Sequence, residues 1–70
     1  MEINFAKKLK SLRIENNLSQ AELAQILSVN QRTISNWENE VRRPDYEMLV
    51  KIALYFNVSI DYLFDINDKN

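Results

Sequence analysis

The sequence contains no cysteine, no histidine and no glycine, and only one proline. Without cysteine the chain cannot form a disulfide or a thiolate metal site, and without histidine it lacks the commonest general base and metal ligand. Phosphate-binding loops of the P-loop and dinucleotide types need glycine and are excluded. No apolar run approaches the roughly 20 residues of a membrane span, and the N-terminus has no signal-peptide core. We therefore expect a cytoplasmic protein without a metal, a cofactor or a membrane segment.

Catalysis in such a chain would have to rely on carboxylates or on a Ser–Lys pair. Glu38 and Glu40 are two residues apart and point in different directions on a helix. Asp61, Asp65 and Asp68 lack the alternating pattern and the glycine of a calcium loop. A single domain of 70 residues also offers no deep cleft of the size that catalytic pockets usually need. The sequence predicts that the chain is not an enzyme.

The charges are distributed unevenly along the chain. The net charge is -1. Residues 1–43 contain seven Lys or Arg and five Asp or Glu, whereas residues 44–70 contain two and five. A field with one positive end is compatible with binding a polyanion, although the mixed surface charge of an ordinary soluble protein explains the same numbers.

Every periodic segment of the sequence is typical of a helix, and no stretch alternates with the period of a strand. We predict an all-α domain of five helices over residues 1–66, followed by a polar tail at 67–70. The predicted helices run over about 4–16, 20–27, 31 to 38 or 39, and 46–57, and a short fifth helix begins at 60 and ends before the polar stretch "DINDKN".

The helix starts share one device, an apolar residue followed by Ser or Asn. It occurs at Leu18-Ser19, Val29-Asn30 and Val58-Ser59. Ser19 is followed three residues later by Glu22, which predicts a capping box. Asp45 is the expected cap of the fourth helix, after the loop that ends at Pro44.

Helices 2 and 3 are separated only by the three residues 28–30, which is the spacing of a helix-turn-helix. Small Ala24 lies at the expected contact of the two helices, and Ile34 and Trp37 are predicted to face inward. The third helix then presents uncharged polar residues and one arginine to the outside: Gln31, Arg32, Ser35 and Asn36.

The stretches "LSQAELA", "TISNWE", "RRPD" and "VSIDYLF" resemble the phage-repressor type of helix-turn-helix domain, the XRE or Cro/repressor family. The resemblance covers about residues 5–65. It implies a compact, lambda-repressor-like fold, with the helix-turn-helix formed by helices 2 and 3, and a DNA-binding transcriptional regulator, most simply a repressor. A protein-interaction module, such as an antitoxin or an antirepressor, is the alternative.

The resemblance also assigns roles to residues. Helix 3 would read base edges in the major groove, with base contacts from Gln31, Arg32, Ser35 and Asn36. The DNA backbone would be contacted by Gln20, Asn30, Thr33, Arg42, Arg43 and Tyr46. Asn30 has a second reading as a helix cap alone, and Thr33 and Ser35 suit either a thymine methyl group or a phosphate.

Two further expectations concern assembly and stability. The resemblance implies that Arg13 and Glu38 form a structural ion pair rather than contact DNA. A homodimer on a pseudo-palindromic operator is expected because one module buries little surface on DNA. Val58 to Ile66 carries more apolar residues than one small core needs, so it is either a dimer surface or core of the fifth helix.

The sequence departs from the family in its turns. Glycine is common there after helix 2, after helix 3 and after helix 4, where this chain has Ser28, Glu40 and Asn57. A residue other than glycine in the left-handed conformation costs about 1–2 kcal/mol. Asn57 replaces glycine easily, but Ser28 and Glu40 do not. We therefore expect the backbone to differ at Ser28 and Glu40, or Asn39 to take the left-handed conformation in place of Glu40.

Overall fold

The computed structural model describes residues 3–66, so the predicted polar tail at 67–70 lies outside the described residues. Within this range the chain forms five helices and no strand. The helices are α1 (Phe5–Glu15), α2 (Gln20–Leu27), α3 (Gln31–Glu38), α4 (Tyr46–Phe56) and α5 (Ile60–Phe64). The all-α, five-helix prediction is confirmed, and residues 28–30 link α2 to α3 as expected.

Each helix contributes to one apolar core. The fully buried large side chains come from all five helices: Leu9, Leu23, Leu27, Ile34, Ile52 and Leu63. Ala24 is also buried. Because its side chain is small, it allows α2 and α3 to approach each other closely. A small domain buries little surface, so this single shared core has to hold all five helices together.

The predicted caps supply the hydrogen bonds that the helix starts lack. The side chains of Ser19, Asn30, Asp45 and Ser59 each accept a hydrogen bond from a backbone N–H three residues later. Glu22 completes the capping box by accepting from the Ser19 backbone N–H at 2.8 Å. This bond from the Ser19 backbone N–H is the main cause that holds the pKa of Glu22 below its ordinary value, and the Ser19 side chain lowers it further.

The ends of α1, α2, α3 and α4 all use the same kind of left-handed turn, although the chain has no glycine. Asn17, Ser28, Glu40 and Asn57 all take the left-handed conformation, with φ between 56° and 61°. After each of them, the next backbone N–H returns to a carbonyl five residues earlier. These bonds run from Leu18 to Arg13, Val29 to Ala24, Val41 to Asn36 and Val58 to Ala53, at 2.9–3.0 Å. This is the Schellman arrangement, which satisfies carbonyls that a helix end leaves free.

The expectation that the backbone would avoid the left-handed conformation at Ser28 and Glu40 was therefore wrong. Asn39 keeps φ at -100°, and Glu40 itself is left-handed at 61°. The backbone does not avoid the conformation at Ser28 either. Val29 follows Ser28, and its bond to Ala24 forms because Ser28 turns the chain. The Lys51 ammonium adds a hydrogen bond to the Leu27 carbonyl at 3.1 Å, which stabilises the end of α2 from α4.

The start and the end of the described chain are joined. The Asn4 backbone N–H donates to the Phe64 carbonyl at 2.8 Å, and the Asn4 side-chain amide donates to the Asp65 carbonyl at 3.2 Å. Lys8 also places its ammonium 4.3 Å from the centre of the Tyr62 ring. These contacts hold α5 against α1.

The left-handed turn after α2 generates a stability prediction. Ser28→Gly should raise the free energy of unfolding by about 1 kcal/mol, because glycine removes the left-handed penalty but adds chain entropy to the unfolded state. Urea denaturation measures the change. The matched control is Ser11→Gly on the exposed side of α1, which should lower stability by about 0.5 kcal/mol. A loss of stability in both variants would contradict the left-handed geometry at Ser28.

Candidate nucleic-acid interface

Helix α3 is fixed at its start by a cap of two side chains. The Asn30 side-chain oxygen accepts from both the backbone N–H and the hydroxyl of Thr33, each at 2.9 Å. The structure thus brings two of the predicted backbone-contact residues together. The Asn30 side-chain oxygen is used in the cap, while the NH₂ group of the same side chain can donate to another acceptor.

The inner side of α3 is anchored in the core. Ile34 is fully buried and Trp37 retains only 6% exposure. The opposite side carries Gln31 and Arg32, which are exposed, and Ser35 and Asn36, which are half-buried. The helix therefore divides by face, as its sequence predicts.

The outward residues of α3 form one concave surface with α2. Gln20, Gln31, Arg32, Ser35 and Asn36 line a single open depression. All four predicted base-contact residues thus lie together, with Gln20 from the start of α2 beside them. We call these five residues the reading surface.

Below the reading surface lies an ion pair between α1 and the end of α3. The Arg13 Nε atom is 2.6 Å from Glu38 Oε2, and Arg13 Nη2 donates to Glu38 Oε1 at 3.1 Å. The two side chains are only 11% and 2% exposed. A third bond from Arg13 Nη1 reaches the Leu18 carbonyl at 2.8 Å. Hydrogen bonding to Glu38 raises the pKa of Arg13, so the guanidinium stays charged.

Gln20 extends this ion pair to α2. Its Nε2 atom donates to Glu38 Oε1 at 3.1 Å, so the amide nitrogen is engaged while the amide oxygen remains available as an acceptor. Sequence reasoning missed this bond and assigned Gln20 to a phosphate alone. The only sequence signal is the polar residue that directly follows the Ser19 cap.

A second internal bond lies at the end of the reading surface. The Asn39 side-chain NH₂ group donates to the Ser35 hydroxyl oxygen at 3.2 Å. The Ser35 hydroxyl keeps its hydrogen and its second lone pair, so it can still donate to a ligand or accept from one. Nothing in the sequence pattern indicates this pair.

The remaining predicted backbone-contact residues lie apart from the reading surface. Arg42 and Arg43 are exposed in the turn between α3 and α4, and Tyr46 is 77% exposed at the start of α4. Both arginines line a different cavity, beside Trp37. The path of this turn is set by Asn36, whose carbonyl accepts from the backbone N–H groups of Val41 and Arg42 at 2.9 and 3.3 Å.

A family described as "Helix-turn-helix" matches residues 9–63, which is most of the chain and includes every helix that forms the reading surface. The chain belongs to this helix-turn-helix family. The HTH-type transcriptional regulator ImmR of Bacillus subtilis is 34% identical to it over 97% of the chain and 56% of its own length. The chain thus spans about half the length of this curated relative.

Solved structures of helix-turn-helix proteins share the fold. The crystal structure of a transcriptional regulator from Listeria innocua superposes with a TM-score of 0.90 at 31% identity, covering 100% of this chain and 65% of that chain. The P22 c2 repressor protein in complex with synthetic operator 9T gives a TM-score of 0.79 at 27% identity, covering 86% and 91%. The lambda-repressor-like fold expected from the sequence is confirmed.

The described residues contain no helix that is both long and apolar enough to span a membrane. Residues 3–66 also contain no group of three acidic, histidine or cysteine side chains that could hold a metal ion.

The buried ion pair generates the prediction for this site. Arg13→Met should lower the free energy of unfolding by about 3 kcal/mol, because it leaves the Glu38 carboxylate buried and unpaired. The double variant Arg13→Met/Glu38→Leu should recover part of the loss. Arg32→Met, which changes an exposed arginine of α3, should shift stability by less than about 0.5 kcal/mol. Strictly additive losses in the double variant would contradict a coupled pair.

Proposed function

We propose that the chain is a sequence-specific DNA-binding domain of a transcriptional regulator, and most simply of a repressor. The observation that carries the proposal is the reading surface, where three amide side chains, an arginine and a serine share one depression beside the exposed side of α3. Its relatives support the proposal, since ImmR is a transcriptional regulator and the P22 c2 repressor structure contains an operator. The proposed function is binding and includes no catalytic step.

The chemistry of the reading surface suits base edges in the major groove. Gln31 and Asn36 each offer a donor and an acceptor, which is the pair needed for adenine N6 and N7. Arg32 offers the two parallel donors that guanine O6 and N7 accept. Ser35 adds a hydroxyl donor toward an acceptor on the DNA. The hydrogen bonds that Glu38 accepts from Arg13 and Gln20 fix the position of α3 relative to α1 and α2.

Contacts to the DNA backbone would position the reading surface. Gln20, Asn30 and Thr33 lie at the starts of α2 and α3, where free backbone N–H groups favour phosphate. Arg42, Arg43 and Tyr46 provide a second set beyond the end of α3. The excess of Lys and Arg over Asp and Glu in residues 1–43 favours this arrangement, because acidic residues outnumber basic ones in the rest of the chain.

We expect the domain to act as a homodimer with half-sites about one helical turn apart. Ile60 and Phe64 pack against the core of their own chain, which leaves Tyr62 and Ile66, at 49% and 43% exposure, for a partner subunit. The core reading of this segment holds for Ile60 and Phe64, and we propose Tyr62 and Ile66 as the dimer surface. We expect the domain to act in the cytoplasm, associated with the nucleoid when it is bound to DNA.

A protein-binding role is the second candidate. Tyr46, Val50 and Leu54 follow one another at four-residue spacing on α4 and are 77%, 47% and 76% exposed. Residues at this spacing lie on one face of a helix, and such an apolar face is a feature of protein-interaction surfaces. Salt separates the two roles, because DNA binding weakens with a log–log slope of about -0.9 per phosphate contacted.

The DNA-binding proposal is tested by selecting duplexes from a random-sequence pool and measuring their affinity for two variants and two controls. Gln31→Ala should weaken the selected site by about 1–3 kcal/mol and lose preference at one base position. Arg43→Ala should weaken all duplexes alike and reduce the salt slope by about 1.

The matched controls are Gln25→Ala on the exposed side of α2 and Lys10→Ala on α1, which should leave affinity unchanged. Failure to enrich any duplex at low salt would overturn the DNA-binding proposal. Equal losses on all sequences from Gln31→Ala and Arg43→Ala would overturn the role of α3 as the reader.

A further inference from the structure

The cavity beside Trp37 is separate from the reading surface and has a volume of about 110 Å³. Its walls come from the start of α1, the end of α3 with the turn that follows it, α4, and the end of α5. Phe5, Ala6, Trp37, Leu49 and Phe64 make most of its lining apolar. The cavity is partly open to solvent and has mainly apolar walls with a few charged groups, which is the usual composition of a small-molecule site.

The mouth of the cavity is charged. Arg42, Arg43 and Glu40 lie at its edge, and the balance of the three side chains is positive. All three are exposed. The only salt bridge among residues 3–66 is the one between Arg13 and Glu38, so neither arginine is neutralised by Glu40. An occupant with an apolar end and a single negative charge matches both the walls and the mouth.

The walls are held in place before any ligand binds. Asn4 joins the start of α1 to the end of α5 through the bonds to Phe64 and Asp65. On the other side, the Glu40 backbone N–H donates to the Trp37 carbonyl at 3.4 Å, and Val41 donates to Asn36. A site with preformed walls loses less conformational entropy on binding.

We propose that this cavity binds a small amphipathic carboxylate, with its apolar chain against Trp37 and its carboxylate between Arg42 and Arg43. A dry cavity of about 150 Å³ admits benzene, so one of about 110 Å³ holds roughly four to five carbon atoms. The two arginines also belong to the proposed contacts with DNA phosphates. The second half of the inference, which rests on the proposed function, is that the bound carboxylate competes with DNA for them.

The first experiment needs no DNA, because Trp37 is the only tryptophan of the chain and lines the cavity. Pentanoate should change the Trp37 fluorescence in a saturable way, with an affinity in the millimolar range. Pentanamide has the same chain without the charge and should bind about tenfold more weakly, as expected for two partly exposed ion pairs. Acetate at equal ionic strength should produce no change.

Two variants locate the site. Arg42→Gln/Arg43→Gln should weaken pentanoate about tenfold and bring it to the level of pentanamide, while Lys10→Gln on α1 should leave it unchanged. Ala6→Leu should fill the cavity and remove binding of both ligands. If this variant loses its helical circular dichroism, the double arginine variant alone decides. Binding of pentanamide as tight as pentanoate, or no saturable change, would overturn the site.

The coupling is measured separately with the selected duplex. Saturating pentanoate should reduce DNA affinity several-fold and flatten its salt slope by about 1 to 2, as if the phosphate contacts of Arg42 and Arg43 were lost. Acetate at the same ionic strength is the control. If pentanoate binds but leaves DNA affinity unchanged, the competition is wrong. If it binds and no duplex is ever enriched, the proposed function fails while the ligand site stands.

Discussion

The carboxylate of Glu38 is the point on which the arrangement of the first three helices depends. Its two oxygens are shared by Arg13 from α1 and Gln20 from α2, and Arg13 continues to the Leu18 carbonyl in the link between these helices. A carboxylate that is 2% exposed is tolerated only when its lone pairs are used. Apolar contacts in the core have no preferred direction, so they set only the spacing of the helices. The hydrogen bonds to Glu38 are directional, so they fix the rotation of α3 about its axis and with it the direction in which Gln31 and Asn36 point.

The turns show how a chain without glycine builds a compact helical fold. Asn17, Ser28, Glu40 and Asn57 accept the left-handed conformation because each allows a Schellman bond from the next residue. Asparagine takes this conformation at little cost in free energy, whereas serine and glutamate take it at a higher cost. The fold therefore carries local strain at the two turns that flank α3, and tertiary contacts such as Lys51 to Leu27 offset it.

Local signals predicted the elements well, because caps and apolar periodicity act within one helix turn. Ser19, Asn30, Asp45 and Ser59 all cap as expected, and α1 differs from its predicted bounds by one residue at each end. The bond from Gln20 to Glu38 and the left-handed Glu40 could not be predicted, since each depends on how separate helices meet. The cavity beside Trp37 has the same origin: Ile3 and Phe64 are 61 residues apart in the sequence and line one space.

The central claim is that α3, held from behind by Glu38, presents uncharged amides to the edges of DNA bases. Side-chain amide resonances in NMR spectra report on this directly, since each glutamine and asparagine gives its own pair of signals. On addition of a selected duplex, the account predicts large shifts for the side-chain amides of Gln31 and Asn36 and none for that of Gln25, which lies on the far side of α2. Unchanged signals from Gln31 and Asn36, with shifts confined to α4 and α5, would contradict it.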